Sequence, residues 1–389
     1  MPMQYAARVA CVSQAFLRSW RHHPDLTFTE ETLGLKKKAW RKDERAKYFT
    51  SKVDRILRNH SGIGVKKLKL QASSHANYNF PCSVLSDGTA DSLRYLHLAS
   101  CNFHPTVSLG CLRSLTRLQL SMVRVTGDEL RYLLSRSFVL EQLELSYCSE
   151  IICLKIPCLH QLSYLEVLSC KRLQVIVSKA LNLSGFRFAG DRPVQLSLGD
   201  TSQIRKLDWF CSDALFYACT EFPSSMPNLE NLTIYSRTEM VNTPMVPNKF
   251  LHLKLLSIAL GGPMYDYLSL VSFLEAAPSL ETFILTVRHF FADPSDPRRM
   301  PEQCHDNLKR VNIINFSSTK SLVALTCHII EFAKCSVNKS GECFLMHEEA
   351  LVEAQRAVLV FQTYIKRKVP SKVNLTFLEP CSRCHAADP

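Results

Sequence analysis

The segment Leu93-Arg94-Tyr95-Leu96-His97-Leu98, followed by Ala99-Ser100-Cys101, contains the pattern that decides the fold. It opens with one Leu and continues as Leu-x-Leu, the alternation typical of a strand with one buried face. With apolar substitutes allowed, the pattern recurs along most of the chain. Its opening residues are Val65, Leu93, Leu115, Leu140, Leu162, Leu183, Ile204, Leu229, Leu253, Leu280 and Leu308.

The openings lie on average about 24 residues apart, a spacing typical of leucine-rich repeats. Each unit should carry one short strand. One unit cannot cover its own apolar face, so stacked neighbours bury a continuous core and join their strands into a parallel sheet. We therefore predict an α/β fold, a leucine-rich-repeat solenoid with a curved parallel sheet over residues 65–313 and helical and irregular connectors.

The ends of the chain should cap this array. Residues 29–64 read as a basic linker and an amphipathic capping helix at the open edge of the first unit, after a helical segment over residues 1–28. The repeats, about eleven units, occupy residues 65–315. An α+β capping unit over residues 316–378 should contain two helices and a last strand over Val373–Leu378, and residues 379–389 should form a flexible tail.

The 16 cysteines and the absence of an apolar leader in the first 20 residues predict reduced thiols in the cytoplasm or nucleus. Cys101, Cys148 and Cys170 each follow a strand by three residues, where the chain should turn inward. No run approaches 18 uninterrupted apolar residues, so a membrane span is not expected.

Strand alternation places the residues on either side of each central apolar position on the concave sheet face, where they should be exposed. The units that open at Leu93, Leu115, Leu140 and Leu162 are the most regular, and we expect their face to bind a target protein. The expected contact residues are Tyr95, His97, Arg117, Gln119, Gln142, Glu144, Tyr164 and Glu166. Aromatic and charged side chains of both signs suit protein recognition.

The formal net charge of +12 raises the alternative of a nucleic-acid partner, with Lys36, Lys37 and Lys38 as candidate contacts or as a nuclear import signal. A solvated basic connector explains the same three residues. The mixed charge of the predicted concave face argues against binding to a phosphate backbone.

No catalytic or cofactor motif emerges. Phosphate-binding loops of the types GxxxxGK[ST] and GxGxxG are absent from the sequence, as are serine-hydrolase and zinc-protease signatures. The segment Cys381-Ser382-Arg383-Cys384-His385 matches a haem-attachment pattern or half of a zinc site, but a second pair of cysteines at that spacing is missing. We expect no enzyme activity, no cofactor and no metal.

Residues 6–28 add a functional indication. The run Ala6-Ala7-Arg8, the pair Val12-Ser13, Phe16 and Trp20, and then Pro24-Asp25-Leu26-Thr27-Phe28 resemble the second half of an F-box. The order of this segment, leucine-rich repeats and a C-terminal unit is similar to a large family of plant F-box proteins. The resemblance implies a substrate-recognition subunit of a Skp–cullin–F-box ubiquitin ligase, in which other subunits perform the chemistry.

The family's F-box begins with a Leu-Pro-x-Asp phrase and a first helix, whereas only five residues precede Ala6 here. The resemblance leaves five side chains to contact a Skp-type adaptor: Val9, Val12, Phe16, Leu17 and Trp20. In the alternative interpretation these residues pack on the first repeat, and the protein is a repeat scaffold or decoy that binds targets without a ligase.

Overall fold

The computed structural model describes residues 20–35, 41–60, 64–72, 78–85, 89–105, 110–239, 249–261, 266–287, 307–332 and 348–369. The chain divides into two compact units. The first comprises Met1–Gly190 and Val194–Gln203, and the second comprises Asp191–Pro193 and Ile204–Pro389.

The main sheet of the first unit contains seven described strands, each four or five residues long. They are β1 (Asp25–Phe28), β2 (Lys67–Gln71), β4 (Tyr95–Ala99), β6 (Arg117–Ser121), β7 (Gln142–Ser146), β9 (Tyr164–Leu168) and β11 (Gly185–Ala189). They pair in this order, and all the pairings are parallel.

The second unit contains five described main-sheet strands. They are β13 (Lys206–Cys211), β14 (Asn231–Ser236), β15 (Leu255–Leu260), β16 (Thr282–Val287) and β17 (Arg310–Ile314). They pair in this order, and all the pairings are parallel. The predicted parallel strands, one short strand in each of the eleven repeats from residue 65 onward, are therefore confirmed.

The opening residue of each repeat explains this regularity. All eleven openings are buried, from Val65 to Leu308, and the strand of each repeat begins two residues later. The next two apolar positions of the strand, such as Leu96 and Leu98, are also buried in every repeat except that of β17, where Ile313 is half-buried. Burial of a leucine side chain contributes about 2 kcal/mol, so three such residues per unit set the register strongly.

The N-terminal end differs from the prediction. Residues Asp25–Phe28, assigned above to the F-box-like segment, form β1 and pair with β2. Leu26 and Phe28 are buried in the same core as the repeats. The amphipathic helix α1 (Lys42–Asn59), which buries Phe49 and Val53, is therefore the connector between two strands and not a cap ahead of the first strand.

The connectors of the first unit are of two kinds. Short β3 (Tyr78–Asn79), β5 (Cys101–Asn102) and helices α2 (Thr89–Ser92) and α3 (Gly127–Leu134) lie in the earlier repeats. Helix α3 begins at a capping box, in which Thr126 and Glu129 accept hydrogen bonds from each other's backbone N–H groups. Gly127 is required there, because a Cβ atom would overlap the carbonyl oxygen of Cys153.

In the later repeats of the first unit the connectors contain strands, and not only the helical and irregular segments expected from the sequence. They are β8 (Cys153–Ile156), β10 (Val175–Ser178) and β12 (Gln195–Leu198). These strands form a second parallel sheet in the order β12-β10-β8.

A left-handed residue ends four consecutive strands of the first unit. Ser100, Met122, Tyr147 and Ser169 have φ values between 52° and 56°. Each donates its backbone N–H to the carbonyl of the last residue of the next strand, for example Tyr147 to Leu168 at 2.8 Å. The residue after the turn points into the core, which explains the burial predicted for Cys101, Cys148 and Cys170 and confirmed here.

Among its described residues, the second unit contains the helices α4 (Ala214–Ser225), α5 (Leu270–Glu275), α6 (Lys320–Phe332) and α7 (Glu348–Val360). Helix α7 continues in irregular helical turns to Lys368. The two C-terminal helices match the pattern predicted for the capping unit. Cys327, Ile330 and Ile365 form a small core with Phe361 and Val369. The strand predicted over Val373–Leu378 lies outside the described residues.

Candidate functional site

The candidate contact residues lie on the face of the first unit's main sheet that is turned away from the core, here called the open face. The strand register aligns its side chains in two rows. The first row contains Asp25, Lys67, Tyr95, Arg117, Gln142, Tyr164 and Gly185. The second row contains Thr27, Lys69, His97, Gln119, Glu144, Glu166 and Arg187.

The predicted alternation is correct in every strand of this face, but the predicted exposure is not. Most of the eight candidate residues are half-buried, and Glu144 is only 8% exposed. The cause is coverage by neighbouring long side chains across the strands. A periodic pattern shows which side of a strand a residue occupies, but it does not show which neighbour covers it.

Tyr95 is the centre of the first contact network. Its hydroxyl donates a hydrogen bond to Oε1 of Gln119 at 2.8 Å. The ammonium of Lys67 and the guanidinium of Arg117 lie 5.5 and 5.7 Å from the centre of its ring, both within cation–π range. Nη2 of Arg117 also lies 2.6 Å from Oε1 of Glu144, so the guanidinium forms an ion pair with a carboxylate that is nearly buried.

Tyr164, on β9, is the centre of a second network three strands further along. Its hydroxyl donates to Oε2 of Glu166 at 3.0 Å, and Nη1 of Arg187 lies 3.3 Å from the same oxygen. The tyrosine ring covers Gly185 on the next strand, where an added Cβ atom would lie 3.1 Å from the ring. The absence of a side chain at Gly185 therefore leaves room for the ring of Tyr164.

His97 lies between these cations and remains neutral at neutral pH. Burial is the largest cause that lowers the pKa of His97, to about 4, and the positive charges of Lys69, Arg117 and Lys67 lower it further. Its ring also contacts Tyr95 edge to face, with the ring centroids 6.3 Å apart. The imidazole is thus a neutral polar group in a positive local field.

The five predicted adaptor contacts have different positions. Val9, Val12, Phe16 and Leu17 lie outside the described residues. Trp20 is 8% exposed and packs edge to face against His60, with the ring centroids 6.3 Å apart. Burial lowers the pKa of His60. This packing places Trp20 against the connector of the first strands, as in the alternative interpretation of this segment.

The described residues were also compared with two expectations from the sequence, that there is no metal site and no membrane span. No group of three or more His, Cys, Asp or Glu residues that could hold a metal ion occurs in the part of the chain that the structure describes. None of the described helices combines the length and the apolar character that a bilayer span requires. Lys36, Lys37 and Lys38 and the Cys381–His385 segment lie outside the described ranges.

The sheet of the second unit presents a different face. Its non-core positions include Phe210, Tyr235, Leu255 and Ile284, all half-buried, with Thr and Ser residues between them. The rings of Phe210 and Tyr235 are in edge-to-face contact at 6.2 Å. Within the described strands of this sheet, formal charges occur only at Lys206, Asp208 and Arg310, so the open face of the first unit carries more charge.

Three further open-face residues take part in or adjoin these networks, namely Lys67, Lys69 and Arg187. The alternation placed them on this face, but the predicted contact set omitted them because it followed the regularity of the repeats. The signal that identifies them is register, since Lys67 is aligned with Tyr95 and Arg187 with Glu166. Register follows from the repeat openings and was available in the sequence.

The ion pair between Arg117 and Glu144 leads to the first prediction. Arg117→Ala leaves a nearly buried carboxylate without its partner, so we expect a loss of about 1–3 kcal/mol in the free energy of unfolding in urea. The matched control is Arg113→Ala, which removes an exposed ion pair with Asp91 and should cost no more than about 0.5 kcal/mol. Equal losses in the two variants would show that Glu144 does not depend on Arg117.

The lowered pKa of His97 leads to the second prediction. Between pH 6.5 and about 4 the unfolded chain binds a proton at His97 that the folded protein does not, so folding loses stability as the pH falls through this window. His97→Gln removes this loss. We expect the drop in unfolding free energy between pH 7 and 4.5 to shrink by on the order of 1 kcal/mol, after a discount for solvent screening. The exposed His160, changed to Gln, is the control, and an equal effect there would contradict the assignment.

Comparison with known proteins identifies the repeats. Residues 33–382 match the family model described as At1g61320/AtMIF1, LRR domain. Residues 6–28, which carry the F-box resemblance, lie outside the matched region. A search of curated proteins finds no significant match to the chain. The matched region covers most of the chain, including β2 to β17 and both C-terminal helices, and the chain therefore belongs to the At1g61320/AtMIF1 leucine-rich-repeat domain family.

Proposed function

We propose that this protein binds another protein through the open face of its first unit and catalyses no reaction itself. The single observation that supports this most is the double network around Tyr95 and Tyr164. It holds two aromatic rings and several charged groups in fixed positions on a sheet. Rigid aromatic and Arg side chains are the groups that most often dominate protein–protein binding energy. Membership of a leucine-rich-repeat family supports the same role.

The experiment places a photo-activatable benzoylphenylalanine at one position of the full chain and irradiates it in a cell extract. Gln142 is the test position, because it lies in the first row between Arg117 and Tyr164. Lys155 on β8 is the matched control, because it is exposed on the connector sheet of the same unit. We expect a discrete adduct from position 142 that position 155 does not give. An adduct from position 155 alone would contradict the proposal.

We also propose that this binding serves a Skp–cullin–F-box ubiquitin ligase in the cytoplasm or nucleus, with this chain as the substrate receptor. The resemblance of residues 6–28 to the second half of an F-box, directly ahead of the repeats, supports this. The burial of Trp20 against His60 limits the proposed adaptor contacts to Val9, Val12, Phe16 and Leu17. The competing proposal is a scaffold or decoy that binds the same targets without a ligase.

A pull-down with a purified Skp-type adaptor separates the two roles. The receptor role requires the full chain to retain the adaptor and a Val12→Glu, Phe16→Glu double variant to lose it. Tyr164→Ala is the control, since an open-face residue should not affect adaptor binding. If the unmodified chain does not retain the adaptor, the scaffold role is favoured, and the open-face proposal is unaffected.

A further inference from the structure

One end of the open face carries cations that the protein's own carboxylates do not match. Lys67 and Lys69 lie on β2, the first exposed and the second half-buried. Among the described residues, neither forms an ion pair with an acid within 4 Å. Arg117, two strands further on, uses one side of its guanidinium for Glu144 and remains about half exposed.

The geometry gathers these cations around one ring. Lys67 and Arg117 lie on opposite neighbouring strands of Tyr95, and both approach its ring within 6 Å. Lys69 is aligned with His97, which stands beside the same ring. Neighbouring strands are about 4.8 Å apart, so the cluster spans roughly 10 Å from β2 to β6.

The same three cations act on His97. Burial is the largest cause that lowers the pKa of His97, and the positive charges of Lys69, Arg117 and Lys67 lower it further. The acids that face the cluster are Asp25, aligned with Lys67, and Glu144, paired with Arg117. Because these two carboxylates face three cations, the cluster as a whole has a net positive charge.

We propose that Lys67, Lys69 and Arg117, arranged around Tyr95, bind an acidic peptide segment of the partner protein. This inference rests on the proposed function, because it names the chemistry that the open face recognises. A span of roughly 10 Å equals about three residues of extended peptide, whose first and third side chains can both face the cations with anionic groups. The tyrosine ring supplies an apolar surface for the peptide backbone between them.

The same geometry disfavours nucleic acid. A phosphate backbone requires cations along its whole path. Here the second row reaches Glu144 and Glu166 within three and four strands of Lys69. A long polyanion that follows the sheet would therefore meet two carboxylates directly after the basic cluster, whereas a short acidic segment ends before them.

The test measures fluorescence anisotropy of three labelled twelve-residue peptides with the full chain at 50, 150 and 300 mM NaCl. One peptide carries three consecutive Glu residues, one carries Gln in their place, and one carries phosphoserine. We expect the Glu or the phosphoserine peptide to bind and the Gln peptide to bind at least about tenfold more weakly, with affinity that falls as salt rises. The tighter of the two anionic peptides identifies the source of the charge.

The decisive variant is Lys67→Glu, Lys69→Glu, which should weaken anionic-peptide binding by about tenfold or more at 50 mM NaCl. The matched control is Lys155→Glu, Lys179→Glu, two exposed lysines of the connector-sheet region of the same unit, with the same change in net charge. The melting temperatures of both double variants are compared with that of the unmodified chain, to test whether either variant has lost its fold. A neutral Lys67→Gln, Lys69→Gln variant, with an intermediate loss, serves if the charge reversal destabilises the fold.

Three outcomes would overturn the inference. The first is equal binding of the Glu and Gln peptides, and the second is an equal loss in the control variant. The third is tighter binding of a single-stranded or duplex oligonucleotide through the same two lysines. Failure of peptide binding alongside a retained cross-link at position 142 would reject the acidic segment while leaving the protein-binding role in place.

Discussion

The burial of one opening residue in each repeat, two positions ahead of the strand, is the constraint on which the rest of this structure depends. It places every strand in the same register as its neighbour, because the openings and the two following core residues form continuous apolar columns. A slip of one residue would expose Leu96 and Leu98 and bury Tyr95 and His97 in their place. Register of this kind is therefore expensive to change, and the open face inherits its order.

The order of the open face makes side chains from different units act together. Tyr95, Arg117 and Glu144 come from three successive strands, yet they form one chain of contacts. Tyr164 and Arg187 meet at Glu166 in the same way. Neither tyrosine is a freely exposed ring on a surface, because each is held by partners on its neighbours. A partner protein would therefore meet side chains whose conformational entropy has already been lost on folding.

The sequence predicted the elements that depend on local periodicity and missed those that depend on neighbours. Openings, strand positions and alternation follow from the spacing of Leu residues and were correct. Strand β1 escaped prediction because the position that corresponds to its opening is His23, a polar residue that the apolar template rejects. The connector strands β8, β10 and β12 have only four residues each, too few for a distinct period. The burial of Glu144 could not be predicted, since it results from the reach of Arg117.

The alignment of the two rows also limits what an extended partner can do. Side chains on one side of an extended peptide recur about every 6.8 Å, whereas the strands of a sheet recur about every 4.8 Å. A peptide that crosses the strands matches one row position and is then out of phase by about 2 Å at the next. Only two or three adjacent repeats can contact such a peptide before the two spacings diverge. More repeats therefore do not lengthen the peptide that is read; they provide more places at which a short motif can be read.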